Sequence, residues 1–274
     1  MPASWSEIAR HDAFVPAARA LASNMLDLCD RDERLCAVFK DAGRYIAAMS
    51  AAFLHGSGGL TLPLLKQICA ASGLLSAGRA SAILEFLMHI DYLRPPADKA
   101  AGGQYLPTAR FLAAWCRHLQ VALEAAALID PALAPLAAQL DDPETFAAFL
   151  NIQAARLYAL SRQPDPLPGI RRAFLHPHAG SQILWTIVLT GTDGSFPASD
   201  EIRLSLSDLS GRFGVTHLHV RRLFKQADAE GILAYQGHGR LTLHPAGIDL
   251  IRYHYAFQLC ELVEGGREML ARLA

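Results

Sequence analysis

One short stretch of the sequence concentrates side chains that can bind a polyanion. It begins with a threonine and continues with two histidines, two arginines and a lysine: Thr216, His217, His219, Arg221, Arg222 and Lys225. At about 100° per residue, a helix over this stretch places His217, Arg221 and Lys225 on one face. The apolar residues Val220, Leu223 and Phe224 then lie on the opposite face. The spacing therefore predicts an amphipathic helix with an exposed basic face.

The residues of this face suit different contacts. A guanidinium can form two hydrogen bonds with the edge of a guanine, so Arg221 is the best candidate for a base contact. Arg222, Lys225 and the more distant Arg240 are candidates for phosphate contacts. A solvated helix face can carry the same charges without any partner. The net charge of −1 gives the whole chain no general attraction for nucleic acid, so any such contact must come from a local patch.

The elements around this stretch occur twice in the chain. An apolar segment reads AGRYIAAMSAAFLHG from Ala42 and AGSQILWTIVLTG from Ala179. The segments that follow also match. Equivalent residues are 144 positions apart at Leu60/Leu204, 140 at Leu93/Leu233 and 137 at Leu106/Leu243. Length differences of this kind fall in loops. The repetition predicts two copies of one module, over residues 1–137 and 138–274.

Apolar residues at helical spacing predict a mainly α-helical fold. The predicted helices cover residues 15–29, 34–54, 64–71, 78–90, 108–128, 143–161, 180–189, 207–213, 217–230 and 245–273. Alternating patterns at 202–206 and 233–243, and a weaker pair around Tyr92 and Tyr105, predict small hairpins beside these helices.

Each copy contains two short helices that meet across a turn. In the second copy, Gly214 suits the positive φ of the turn and Thr216 can cap the next helix. Ser76 can take the capping role in the first copy. A hairpin and another long helix follow in both copies, and the long helix begins near Thr108 or Pro245.

This order of elements resembles a winged helix-turn-helix module, and the sequence THLHVRRLFKQADAEGIL from Thr216 carries the resemblance best. The flanking helices make the chain similar to regulators of the multiple-antibiotic-resistance repressor (MarR) family. The chain looks like two such protomers fused in tandem, over nearly its full length. The resemblance implies a mainly α fold with small β-wings, in which long flanking helices join two winged modules into a single-chain pseudo-dimer. A family member normally has one module per chain, and the charged wing tip is reduced here to His238 and Arg240.

The resemblance implies double-stranded DNA as the partner, with the second helix of each module in the major groove. The second copy would use Thr216, His217, His219, Arg221, Arg222 and Lys225, together with His238 and Arg240 of its wing. The first copy offers fewer charges, at Ser76, Arg79, Ser81, Arg94 and Lys99. Two unlike reading helices would recognise an asymmetric operator with half-sites about 34 Å apart.

Composition and spacing argue against several other functions. The five cysteines (Cys29, Cys36, Cys69, Cys116 and Cys260) lack CxxC spacing, and no secretory leader precedes them, so we expect a cytoplasmic protein. The apolar runs are too short to cross a membrane. Neither His176 with His178 nor His217 with His219 has a spacing that favours a metal site. No nucleotide-binding or catalytic motif is present, and we expect neither a cofactor nor an enzyme.

Two further questions stay open at this point. Met49, Phe53 and Trp185 lie on helices that would line the junction between terminal helices and winged modules, where the related regulators hold small aromatic or lipophilic effectors. Aromatic residues at helical spacing also pack ordinary cores, so no effector-binding residue is assigned. The main alternative to a regulator is a non-enzymatic scaffold that has lost DNA contact and binds proteins, and a small-molecule-binding or catalytic protein is the third. Association of two pseudo-dimers also stays open.

Overall fold

The computed structural model describes residues 3–71, 75–96, 103–191, 196–197 and 201–273. This part of the chain is mainly helical and contains small antiparallel sheets. The front half consists of α1 (Ala3–Arg10), α2 (Phe14–Arg31), α3 (Glu33–Val38), α4 (Ala42–Gly56), α5 (Leu62–Ala71), α6 (Ala77–His89), β1 (Leu93–Arg94), β2 (Leu106–Pro107) and α7 (Ala109–Ala126).

The rear half begins with a 3₁₀ turn (Pro131–Leu133). It continues with α8 (Ala134–Gln139), α9 (Pro143–Ser161), α10 (Pro168–Ile170), a π-helical turn (Arg171–Leu175), α11 (Gly180–Leu189), β3 (Ile202–Arg203), α12 (Leu206–Phe213), α13 (His217–Ala229), β4 (Leu233–Gly237), β5 (Arg240–Leu243) and α14 (Pro245–Leu273). Its three strands are antiparallel, in the order β3, β5, β4.

The two halves repeat one order of elements. An apolar helix, two short helices, a hairpin and a long helix follow one another from α4 to α7 and again from α11 to α14. The pairing at the edge of each hairpin also repeats, because Leu60 pairs with Tyr105 in the front half as Ile202 pairs with Leu241 in the rear half. The duplication that the sequence predicts is therefore present at the level of topology.

The strand pairing corrects the predicted correspondence at the end of the hairpins. Leu93 pairs with Pro107, and Leu233 pairs with Leu243. Leu243 therefore corresponds to Pro107 and not to Leu106, and the offset at this point is 136 (243 − 107). When residues 136 positions apart are compared, the long helices α7 and α14 begin at equivalent positions.

The halves pack against each other reciprocally. Helix α2 of the front half contacts α11 of the rear half, and α9 of the rear half contacts α4 of the front half. In the same way α1 contacts α14 and α8 contacts α7, while α7 and α14 contact each other. Such reciprocity is the pattern of an interface between two like units related by a twofold axis. The division at residues 137 and 138, which lies inside α8, stays a prediction.

Several helix boundaries differ from the sequence prediction. The single helix expected over residues 34–54 is two helices, because Asp41 has extended backbone and its Oδ1 accepts a hydrogen bond from the Arg44 backbone N–H at 3.0 Å, which starts α4. Helix α11 begins at Gly180. A Cβ atom at this position would lie 2.2 Å from the Phe174 carbonyl oxygen, which is too close for any side chain. Strand β3 ends at Arg203, and Leu206, expected in a strand, begins α12. Helices α1 and α8 and the π-helical turn were not predicted.

No helix within these described residues combines the length and the apolar character needed to cross a bilayer.

Candidate nucleic-acid interface and internal cavity

Helix α13 presents the basic face that its sequence predicts. The Thr216 hydroxyl accepts a hydrogen bond from the His219 backbone N–H at 3.1 Å and caps the helix, after a turn in which Gly214 has a φ of +62°. The apolar side of α13 is buried in the rear half at Val220, Leu223, Phe224 and Ala227. The side chains of His217, Arg221 and Lys225 are exposed, and none of them forms a hydrogen bond or ion pair within the described part of the chain.

A second side of α13 contacts the rest of the rear half. His219 was expected on the exposed face, but it is half-buried, and its Nε2 lies 2.6 Å from the carbonyl oxygen of His178. Arg222 borders the same shallow depression as His176 and Pro177. Further along, Arg172 and Glu230 form a bidentate ion pair with distances of 2.7 and 2.6 Å. His219 is therefore withdrawn from the exposed basic face, whereas Arg222 remains exposed.

The hairpin of the rear half carries one more exposed cation. Its turn places His238 at a positive φ of +51°, and both His238 and Arg240 are exposed. The Arg240 guanidinium has no carboxylate partner among the residues that are described.

The corresponding face of the front half is weaker. Ser76 caps α6 by accepting a hydrogen bond from the Arg79 backbone N–H at 3.2 Å, but the Arg79 guanidinium lies 2.8 Å from the buried carboxylate of Asp41. The Ser81 hydroxyl donates to the Ala77 carbonyl of its own helix. Arg94 is exposed on β1. Lys99 lies outside the described residues.

The first turns of α6 and α13 contact two segments that meet each other at one junction, the segment of Lys40 and Asp41 and the segment of His178 and Ala179. Arg79 contacts Asp41, and His219 contacts His178. The segments that carry these two partners are joined to each other, because the Ala179 backbone N–H donates to the Lys40 carbonyl at 2.7 Å. The first turns of both helices are therefore linked through these contacts.

A cavity of about 1050 Å³ lies beside this junction. Helix α4 forms one wall with Tyr45, Met49 and Phe53, and α9 forms the other wall with residues that include Leu157 and Tyr158. Trp185 of α11 also lines the cavity, together with residues of α1, α2, α5, α7 and α14 and of the segment that follows α9. Met49, Phe53 and Trp185, whose role the sequence left open, thus line a space large enough for a small molecule.

Two buried histidines face this cavity, and both are neutral. Burial lowers the pKa of His118 to about 3 and that of His254 to about 4. The Tyr45 hydroxyl lies 3.2 Å from His118 Nε2, whereas His118 Nδ1 has no partner in the described chain. Gln258 Nε2 lies 2.7 Å from His254 Nε2. At neutral pH neither ring brings a charge to the cavity.

The charged groups at the edge of the cavity are already paired. Arg171 contacts Asp165 at 2.9 Å, and Arg156 contacts Glu261 at 2.9 Å and also Glu264. Ligand-type atoms of Cys260, Glu261 and Glu264 lie within 4.8 Å of one another, as in a metal site. Because the Arg156 guanidinium binds both carboxylates, the arrangement is complete without a cation.

His118 and His254 were not identified from the sequence, although a signal for them existed. Each lies eleven residues after the last paired strand position of its hairpin, Pro107 (118 − 107) or Leu243 (254 − 243). They are the same position of the repeated unit, and the correct register was needed to see this.

Comparison of the chain with protein-family models, with curated proteins and with solved structures found no match.

Proposed function

We propose that this chain is a DNA-binding transcriptional regulator of the cytoplasm, built as a pseudo-dimer of two winged helix-turn-helix modules. The observation that carries the proposal is the face of α13. Its His217, Arg221 and Lys225 side chains are exposed and free of partners within the described chain, on a capped helix whose other side is buried. Arg240 of the adjacent hairpin extends the same positive surface. Cations without internal partners are available to phosphates and base edges.

The two modules contribute unequally in this proposal. The Asp41 carboxylate neutralises Arg79 in the front half, so α6 offers little charge to DNA. The rear half supplies most of the contacts, and the operator is asymmetric. The front half acts mainly by positioning the rear half and through Ser76, Ser81 and Arg94.

The cavity is the proposed effector site. Its aromatic walls and its neutral histidines favour an uncharged, largely apolar ligand with an aromatic ring. Asp41 both lines the cavity and holds Arg79, at the junction that α6 and α13 share. A ligand that favours one position of this junction changes the population of DNA-binding conformations by its differential affinity for them.

DNA binding by the full chain at several salt concentrations tests the first part. We expect log affinity to fall linearly with log salt, by about 0.9 for each phosphate neutralised. Arg221→Ala should weaken binding by about 1–3 kcal/mol, the range of a bidentate base contact. Arg272→Ala is the matched control, because Arg272 is an exposed helical arginine and lies roughly 40 Å along α14 from the hairpin.

The alternative is a scaffold that binds proteins through the same modules. It predicts no retained duplex DNA, no salt dependence and no difference between Arg221→Ala and Arg272→Ala. That result would reject the regulator.

The effector site has its own test with a neutral aromatic probe, N-phenyl-1-naphthylamine. We expect one probe molecule per chain, with a change in tryptophan fluorescence because Trp185 and Trp5 line the cavity. Ala154→Phe places a ring in the cavity and should lower the affinity at least about tenfold. Ala159→Phe, at an exposed position of the same helix α9 outside the lining, should leave it unchanged. Equal affinities in the two variants would place the probe elsewhere.

A further inference from the structure

Two thiols of the front half meet next to a side chain of the rear half. Cys29 lies near the end of α2 and Cys36 lies in the six-residue helix α3, and both side chains are buried. Gln182 of α11 directs its Nε2 at the Cys36 carbonyl at 3.1 Å. The same atom lies 3.4 Å from Cys36 Sγ and 4.0 Å from Cys29 Sγ. Both sulfur atoms therefore lie within 4.0 Å of the same nitrogen atom.

The surroundings give the two sulfur atoms different roles. Hydrogen bonding by the neighbouring Cys29 thiol lowers the pKa of Cys36 against the opposing effect of burial, and the positive charge of Lys40 and the Gln182 amide lower it as well. Hydrogen bonding by Cys36 and burial raise the pKa of Cys29. Cys36 is therefore the more acidic thiol of the pair, and its thiolate forms first. A thiolate beside a second thiol is the arrangement that reacts with peroxides.

We infer that Cys29 and Cys36 form a dithiol that hydrogen peroxide oxidises to an intramolecular disulfide. The Cys36 thiolate attacks one oxygen of the peroxide, the O–O bond breaks, hydroxide leaves and Cys36 becomes a sulfenic acid. The Cys29 thiol then attacks the sulfenic sulfur. A sulfur–sulfur bond forms, and the sulfenic oxygen leaves as water with the Cys29 proton. The peroxide is reduced and the two cysteines are oxidised by two electrons.

Formation of this bond changes the contact between the halves. A disulfide needs a sulfur–sulfur distance of about 2.05 Å and a fixed dihedral angle, so α3 has to move against α2. The Gln182 amide, which contacts both sulfurs, then has to adjust to their new positions. The chain just after α3 carries the Lys40 carbonyl that binds Ala179, so the movement starts at the junction described above.

Peroxide treatment of the folded full-length chain tests the inference directly. After treatment, free thiols are alkylated and the protein is digested with trypsin, which cuts after Arg31 and Arg34. A disulfide would join the peptides 20–31 and 35–40, and dithiothreitol would separate them. We expect the joined peptides to form at least about tenfold faster than Cys69 is oxidised, because Cys69 is fully buried and its pKa is raised to about 11.

Single variants separate the two sulfur atoms. Cys29→Ser should stop at a Cys36 sulfenic acid that dimedone traps, and Cys36→Ser should leave Cys29 reduced. Cys69→Ser is the control and should oxidise as the wild type does. The inference fails if the peptides 20–31 and 35–40 stay separate in the wild type. It fails equally if Cys36 is oxidised no faster than Cys69, or if Cys29 reacts in the absence of Cys36.

Discussion

The junction of α2 with α11 and the junction of α4 with α9 are equivalent in the repeated fold, but the first is largely filled and the second contains most of the cavity. Helices α4 and α9 supply much of its lining, whereas α2 and α11 supply Leu21, Met25, Ser181 and Trp185. Helix α2 buries residues along its length from Phe14 to Cys29. The buried residues of α9 end at Gln153, and the later Tyr158 is 43% exposed. The wall of the cavity is the part of α9 that follows Gln153.

This difference follows from the single chain. In a dimer of identical subunits, symmetry gives both junctions the same residues, so both are filled or both are open. Duplication within one chain removes that constraint. The position of Tyr45 in α4, which faces His118, corresponds to Gln182 in α11, which faces the two thiols (182 − 45 = 137). One junction is thus suited to a ligand, and the other carries a pair of cysteines.

The largest expected effect comes from truncating equivalent isoleucines on the two sides. Ile183 of the filled junction is fully buried, whereas Ile46, its counterpart in α4, lines the cavity. Ile183→Ala should lower the free energy of unfolding by about 3–4 kcal/mol, because it creates a new void in a packed core. Ile46→Ala should cost only about 1–2 kcal/mol, because it enlarges an existing space. Urea denaturation measures both, and equal losses would mean that the two junctions are packed alike.

The buried histidines of the cavity give an intermediate effect that depends on pH. Both have native pKa values, about 3 for His118 and about 4 for His254, below the value of about 6.5 in the unfolded chain. The unfolded chain therefore binds more protons, so stability is full above pH 6.5 and is lost as the pH falls toward 4 and then 3. From pH 6.5 to 5 the loss is roughly 1.5 kcal/mol for each histidine.

The variant His118→Asn isolates this contribution. Urea denaturation at pH 7, 6 and 5 should give a smaller loss of stability in the variant than in the wild type, by roughly 2 kcal/mol between pH 7 and pH 5. Contributions of other groups are common to both proteins and cancel in the difference. Parallel pH profiles would mean that His118 titrates in the folded protein as it does in the unfolded chain, and the ring would then bring a positive charge to the cavity at pH 5.

Local patterns in the sequence predicted the elements of this fold well. The apolar and basic sides of α13 depend on residues within three turns of one helix, so their spacing was sufficient to place Arg221 and Lys225 on the exposed face. The break between α3 and α4 was missed because apolar residues at helical spacing lie on both sides of it. The signal for the break is Asp41, whose backbone is extended and whose side chain caps the start of α4.

The sequence could not predict contacts that form between distant segments. His219 meets the carbonyl of His178, which lies 41 residues earlier, and Arg79 meets Asp41, which lies 38 residues earlier. Helical periodicity carries no information on such pairs. The cavity is even harder to predict from the sequence, because it depends on how closely α4 and α9 approach each other. The same spacing of apolar residues would occur in a core without a cavity.

The smallest expected effects distinguish the two junctions through their polar groups. Tyr45→Phe removes the hydroxyl that lies 3.2 Å from His118 and leaves this buried ring without its partner, so it should cost about 1 kcal/mol. Gln182→Met removes the bond to the Cys36 carbonyl, but it also removes Oε1, a buried oxygen without a partner in the described chain. The lost hydrogen bond lowers the free energy of unfolding, whereas removal of the unpaired oxygen raises it. The total change in this free energy should therefore be smaller than that of Tyr45→Phe. Denaturation midpoints under reducing conditions measure both changes. A larger loss of stability in Gln182→Met than in Tyr45→Phe would mean that the Gln182 amide stabilises the filled junction. Apolar packing would then explain less of the difference between the two junctions.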